Sequence, residues 1–306
     1  MTHIPVLLDE TIVALMPDGV APARLVDGTV GAGGHSQALL EAGAGRLLGC
    51  DLDAQALRIA RQVLGGHSER TNLFHGSYLQ MADYARELGW PAVDAILLDL
   101  GLSSLQLDDP VRGFSFRYAA RLDMRFDTTS DSSAQDLVNT LPAGELARLL
   151  FHYGEERHAR RIARAIVAAR PVCTTRELAD LIAAALPAAS RRASRIHPAT
   201  RSFQALRIAV NAELVAIERV IPIAVDLLRA GGRLAIISFH SLEDRIVKKA
   251  FRELAENRIA PPGMASLGER RARIRLVNRK PIIPSQAEIQ RNPRSRSAKL
   301  RIAEKL

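Results

Sequence analysis

Apolar and polar positions follow two different rhythms along the chain. In the first hundred residues short strand-like runs recur at Arg24-Leu25-Val26, Arg46–Cys50, Thr71–His75 and Val93–Leu98. They read as strands, and Val93–Leu98, nearly all apolar, as one buried on both faces. Between them, 35–42, 54–64 and 79–88 carry helical spacing, and the first and last of these stop at Gly43 and Gly89. Strands alternating with helices predict a parallel, doubly wound α/β sheet. Residues 5–16 read as an amphipathic lead-in helix with Pro5 in its first turn. The strand rhythm returns late. Gly231-Gly232 predicts a turn, Arg233–Phe239 a fifth strand and Leu242–Asn257 a helix. Residues 258–270, with Pro261-Pro262-Gly263, predict a loop, and Ile274–Val277 with Ala298–Ala303 a closing antiparallel pair.

The middle of the chain breaks this rhythm. Residues 107–130 are polar, arginine-rich and irregular, and 133–207 carry helical spacing without a strand signal. Leu146, Leu149, Leu150 and Tyr153 share one helix face, and Arg157, Arg160, Arg161 and Arg164 another. Thr174 followed by Glu177 predicts a capped helix start, and Ala199–Val220 reads as one long helix. The expected organisation is a sheet domain from 1–106 and 208–306, interrupted by an all-helical insertion at 107–207.

Composition narrows the function. Of 306 residues 47% are apolar, ample for a buried core. No apolar run approaches membrane length and the N-terminus lacks an export pattern, so a soluble, cytoplasmic protein is expected. Cys50 and Cys173 match no metal spacing and read as reduced thiols; no metal is expected. The net charge of +9 is unevenly spread. Residues 145–207 hold 12 basic against 5 acidic side chains, and 268–306 hold 12 against 3, so the remainder is acidic. Two basic segments point to a polyanion surface, although arginines also solvate helices. With 4% aromatics, phosphate contacts rather than base stacking would have to dominate such binding. The expected phosphate contacts are Arg157, Arg160, Arg161, Arg164, Arg294 and Arg296, together with the arginines of 191–195 and Arg291.

The chemistry gathers at Leu25–His35, LVDGTVGAGGH. A strand ends in Asp27, a glycine-rich turn follows, and a helix begins. Glycines let a ligand lie against bare backbone, and the helix start offers free N–H groups. A dinucleotide site wants G-x-G-x-x-G, but after Gly31 and Gly33 the third position is Ser36. An S-adenosylmethionine (SAM) site wants an acid at the strand end, where Asp27 stands to meet the ligand's ammonium group. A turn that binds nothing also remains open. Asp51 closes the second strand, where an acid takes ribose hydroxyls; Asp53 is available to cap the next helix instead. Tyr78 follows the third strand and offers a ring to an adenine. Asp99 ends the fourth. Sites in doubly wound sheets lie at the carboxyl ends of strands, and Asp27, Asp51, Tyr78 and Asp99 supply one residue per strand.

Longer stretches carry a resemblance. HIPVLLDE, DGTVGAGGHS, LLDLGLSSLQLDDPVRGFSF, LDMRFD, YGEERHARRIARAIV, HPATRSFQALRIAVN, GGRLAIISFHSLEDRIVK and NPRSRSAKLRIAE resemble the bacterial 16S ribosomal RNA cytosine-N4 methyltransferases, the MraW family, from about residue 3 to 304. The resemblance implies a Rossmann-like, SAM-dependent methyltransferase sheet with a helical, RNA-recognising insertion. It implies N4-methylation of a cytidine in the decoding centre of the small ribosomal subunit. It places SAM contacts on Gly33, Gly34, His35, Asp51, Asp99 and Gln106, with Tyr78 where Phe is commoner.

That chemistry needs the N4 lone pair localised, aligned and relieved of a proton. Amino-methyltransferases often carry Asp/Asn-Pro-Pro-aromatic after the fourth strand; this chain has Asp99-Leu100-Gly101-Leu102. Asp99 therefore orients the amine or holds the cofactor. Ser103 and Ser104 are candidate partners for the base, and His240 is a candidate proton acceptor or a helix cap. Rival readings are a DNA amino-methyltransferase, a SAM-bound ribosome-assembly factor without turnover, and a nicotinamide oxidoreductase, which Ser36 disfavours. A homodimer is left open.

Overall fold

A computed structural model describes residues 5–189, 197–257 and 271–306. Two compact units divide it: Met1–Gly101 with Leu214–Leu306, and Leu102–Glu213.

The first unit is built on seven strands: β1 (Arg24–Asp27), β2 (Arg46–Asp51), β3 (Thr71–His75), β4 (Val93–Asp99), β5 (Leu228–Ser238), β6 (Ile274–Leu276) and β7 (Lys299–Lys305). Their order in the sheet is β3-β2-β1-β4-β5-β7-β6. β1 to β5 run parallel, while β7 is antiparallel to both β5 and β6. The fold is therefore a Rossmann-like α/β sheet with a reversed strand near one edge.

Alternation along the strands assigns two faces. Val26, Leu48, Ile96, Leu98, Leu234 and Ile236 pack on one side against Met81, Trp90 and Val220. Leu25, Leu47, Ala95, Leu97, Ala235 and Ile237 pack on the other against Leu7, Leu39 and Leu57. Helices α1 (Leu8–Leu15), α2 (Gly34–Glu41) and α3 (Ala54–Val63) cover this second face. The central β4 is buried on both faces, which explains why its sequence is nearly all apolar.

Two local expectations change here. The lead-in helix starts at Leu8, after Leu7 in the left-handed region (φ 52°), so Pro5 lies ahead of it. Gly231-Gly232 sits inside β5 as a bulge rather than before it. Leu228 pairs with Val93 and Arg233 with Ala95, so the β5 side carries the longer path between the two pairs. The glycines absorb the excess, Gly231 at φ 75°.

The second unit is helical: α5 (Ser104–Asp108), α6 (Ala134–Thr140), α7 (Ala143–Gly154), α8 (Ala159–Ala168), α9 (Thr175–Ala185) and α10 (Thr200–Val210), where α4 is Met81–Glu87 of the first unit. Leu146, Leu150, Ile162, Ile166, Leu178, Ile182 and Leu206 form its own core. Thr174 caps α9 and Glu177 closes the reciprocal bond. The long helix expected over 199–220 is broken into α10 and α11 (Glu213–Leu227). Asn211 causes the break. Its Nδ2 donates to Met124 O at 2.8 Å and its Oδ1 accepts from Phe126 N at 2.7 Å. Ala212 then turns at φ 49°, and Arg207 pairs with Glu213 across the break at 2.8 Å. The last two helices are α12 (Ser241–Ala255) and α13 (Gln286–Arg291). Among the described residues no helix is long and apolar enough to cross a membrane.

Candidate functional site

The order of strands reverses between β1 and β4, and a doubly wound sheet opens its crevice there, at the carboxyl ends. Register sets the acids around that point. Asp27 pairs with Gly49 and with Leu97. Asp51 and Asp99 each stand two residues further along, flanking the end of β1 on either side.

The turn after β1 is tied to both flanking strands. Gly28 N donates to Leu97 O at 3.0 Å and Val30 N to Cys50 O at 3.1 Å. Gly31 N donates to the Asp51 carboxylate at 2.8 Å, and the Asp99 N–H donates to Thr29 Oγ at 2.6 Å. Glycine at 28 is a matter of room, since a Cβ there would lie 2.5 Å from Leu98 Cδ2 and 3.0 Å from Tyr78 Cβ. Gly33 is a matter of conformation: at φ 89° it forms the left-handed start of α2.

Asp27 is 1% exposed. Its Oδ2 accepts from Ser36 Oγ at 2.6 Å and its Oδ1 from Thr29 N at 3.1 Å. Burial raises its carboxyl above the ordinary range against those hydrogen bonds. The residue expected to meet an ammonium group also ties the loop together. Ser36 and Thr29, its partners there, were missed from sequence. Ser36 registered there only as a failed third glycine.

Asp51 and Asp53 divide their labour. Asp53 caps α3, accepting from Gln55 N and Ala56 N. Asp51 accepts from Gly31 N and Asp53 N, and burial, aided by the charges of Asp53 and Asp27, pushes its carboxyl up to about 6.

Asp99 is the anomaly of the site. Its Oδ1 is buried and has no hydrogen-bond partner among the described residues. Its Oδ2 lies 3.5 Å from His35 Nδ1. His35 Nε2 is 2.9 Å from Val6 O, which fixes the proton on that nitrogen and leaves Nδ1 toward Asp99. Burial first, then the charges of Asp27 and Glu243, hold the Asp99 carboxyl well above the usual range. A buried acceptor without a donor is costly.

Tyr78 is half-buried in the turn Tyr78–Gln80 and packs against the sheet beside Gly28. His240 is the N-cap of α12. Glu243 N donates to its Nδ1 at 3.4 Å, and its Nε2 lies 3.1 Å from Glu243 Oε1. Glu243 in turn accepts from Phe239 N and His240 N. The ring holds the helix start, and its proton-acceptor role loses support. Asp244 pairs with Lys299 and Arg301 at 3.0 and 2.7 Å.

Ser103 and Gln106 belong to the second unit, where they cap α5 reciprocally. Gln106 N donates to Ser103 Oγ at 3.2 Å, and Ser103 N to Gln106 Oε1 at 3.1 Å. Ser103 therefore has a structural partner already, and Gln106 is 5% exposed. Arg157, Arg160, Arg161 and Arg164 lie on one side of α8 and its lead-in, at the surface of the unit. Arg294 and Arg296 are exposed in the turn Pro293–Ser297. Arg191, Arg192 and Arg195 lie outside the described residues, as does the loop expected at 258–270.

The profile of the MraW methylase family matches residues 1–306. The chain belongs to the MraW methylase family. It is similar to the ribosomal RNA small subunit methyltransferase H of Heliobacterium mobile, 49% identical over 99% of both chains. The protein of that name from Thermomicrobium roseum is 51% identical over 100% of this chain and 94% of its own. An rRNA methylase structure from Streptococcus thermophilus aligns over 98% of this chain and 93% of its own, at 13% identity and a TM-score of 0.42. As a member of this family the chain is a SAM-dependent methyltransferase. The residues at the sheet's switch point suit that cofactor: a bare-backbone turn, a carboxylate on either side of it, and one carboxylate oxygen awaiting a donor.

Proposed function

We propose that this chain transfers the SAM methyl group to N4 of a cytidine in the decoding centre of small-subunit ribosomal RNA, with the assembled subunit as substrate. The full-length kinship with ribosomal RNA small subunit methyltransferases supports the RNA class. The observation that carries the chemistry is the partnerless Oδ1 of Asp99 at the switch point.

The cofactor supplies an activated methyl on a good leaving group. Gly33, Gly34 and His35 line its approach to the helix start. Asp51 accepts from the ribose and Tyr78 covers a face of the adenine. Asp27 and Gly31 shape the turn. The exocyclic amine needs an acceptor that localises its lone pair and takes up its proton, and a carboxyl whose affinity for protons is raised by burial is suited to that role. Among the three acids at the strand ends, Asp99 is the one with a buried oxygen left without a partner.

Cys50 is not suited to support transfer to ring carbon C5. That reaction needs a thiolate to add to the ring, and the first unit's cysteine, Cys50, is fully buried, with burial raising its thiol well above its usual range. The target base has to leave its stack to be reached.

The substrate panel is direct. With labelled SAM, unmodified small subunits accept methyl groups, while naked 16S RNA accepts few and duplex DNA none. Label on DNA at rates matching subunits overturns the substrate assignment. Tight SAM binding with no label on any of the three favours a non-catalytic assembly factor.

A further inference from the structure

The second unit carries a groove of about 1080 Å³ between α7 and α8. Its lining is unusual in combining a dense set of cations with an exposed ring. α8 buries Ala159, Ile162, Ala163 and Ile166, so helical spacing turns Arg160, Arg161 and Arg164 outward, with Arg157 just ahead of them. α7 buries Leu146, Ala147 and Leu150, and so turns Arg148 and Phe151 to the same groove.

Among the described residues no carboxylate lines it. The neighbouring acid Glu145 pairs with Arg148 at 3.9 Å, both exposed. Arg160 and Arg164 stand one turn apart and repel. Phe151 is 56% exposed, whereas Phe114 and Phe203 of the same unit are buried. His152 meets its ring nearly at right angles, at 81° and 5.3 Å. Arginines that merely solvated a helix would not need an exposed aromatic among them.

We propose that this groove seats a single-stranded stretch of RNA, with one base stacked on Phe151 and the flanking phosphates on Arg157, Arg160, Arg161 and Arg164. The proposal rests on the ribosomal-RNA reading above and adds a recognition element to it. Guanidinium forks pair with phosphate oxygens in two-point contacts, and a ring accepts any base face. Together they select a strand whose bases are accessible over a duplex, whose phosphates are present but whose faces are covered. The volume exceeds what one phosphate fills.

The test uses the full-length protein and a fluorescein-labelled twelve-nucleotide single-stranded RNA of mixed sequence, free or annealed to its complement. Anisotropy titrations run at several potassium chloride concentrations. Phe151→Ala should weaken single-strand binding by about 5- to 150-fold, the range for one stacked base, with little change for the duplex and an unchanged salt slope. Phe151→Trp should restore it. Arg160→Ala with Arg164→Ala should reduce the slope of log affinity against log salt by about 1.4, or about 0.7 for each phosphate no longer neutralised. SAM affinity, read by calorimetry, should stay at the wild-type value in all variants and so certify their fold.

Wild-type affinity in Phe151→Ala, equal losses on single strand and duplex, or an unchanged slope in the double arginine variant overturns the proposal. Competition by polyglutamate at phosphate-equivalent concentration as strong as by RNA also overturns it, in favour of an acidic protein partner. If these binding effects appear while small subunits accept no methyl groups, the groove stands and the substrate reading falls. Methylated subunits with no effect of the variants give the reverse.

Discussion

Asp99→Ala lowers kcat/KM for methyl transfer by about 10²- to 10³-fold, the range for removing one group that stabilises developing charge in a transition state. The reason is positional. Asp99 sits at the end of β4, at the switch point, with one buried carboxylate oxygen that no described residue satisfies. Its backbone is pinned by Thr29 and its other oxygen faces His35, so the side chain has little freedom to find a different partner. Where the loss falls identifies the role. A weakened SAM dissociation constant, by calorimetry, makes Asp99 a cofactor contact. Unchanged SAM affinity with a fall in kcat makes it the group that orients the amine. Asp99→Asn should leave the melting temperature of the ligand-free protein at or above the wild-type value, because burial already penalises its ionised form. Turnover of Asp99→Ala within about threefold of wild type, well inside the loss expected for such a group, removes the residue from the site.

SAM affinity should depend on pH through Asp51. Its carboxyl titrates near 6 because burial and the charges of Asp53 and Asp27 raise it. Ribose hydroxyls donate to the ionised form, and protonation converts an acceptor into a competing donor. The sign follows. The folded, free protein holds the Asp51 proton up to about pH 6, so binding must expel it below that value. Affinity should be level above about pH 7 and fall toward about tenfold per unit on the acid side. Asp51→Asn should weaken binding by about 10- to 100-fold, corresponding to one hydrogen bond to a charged group, and flatten that limb. Comparison with the variant isolates Asp51 from Asp99, which titrates in the same crevice. A wild-type dissociation constant that stays level from about pH 5 to about pH 7.5, or an acid limb unchanged in Asp51→Asn, contradicts the assignment.

Much of this site was legible because each acid terminates an apolar run. A strand buried on both faces announces itself by composition, and the polar residue that closes it falls at the sheet's edge, as Asp27, Asp51 and Asp99 do. What the residues do there was less legible. Asp27 reads from sequence as a ligand contact; that Ser36 and Thr29 also donate to its oxygens depends on how the turn folds back between β2 and β4. His240 reads from sequence as either a proton acceptor or a helix cap, and its ring takes the cap of α12 beside the buried Glu243. The break at Asn211 was invisible in periodicity, because its cause lies far back in the chain, at Met124 and Phe126. Gly231-Gly232 read as a turn because two adjacent glycines usually punctuate; only pairing with Val93 and Ala95 shows them to be a bulge. Phe151 lies off the face formed by Leu146, Leu149, Leu150 and Tyr153, and its exposure shows only once the buried side of α7 is known.

The central claim is the identity of the methylated atom. Small subunits lacking the modification are incubated with labelled SAM, and their 16S RNA is digested to nucleosides and separated. Label in N4-methylcytidine, absent with Asp99→Ala, is the predicted result. Label in 5-methylcytidine, or in a ribose methyl group alone, would contradict the account.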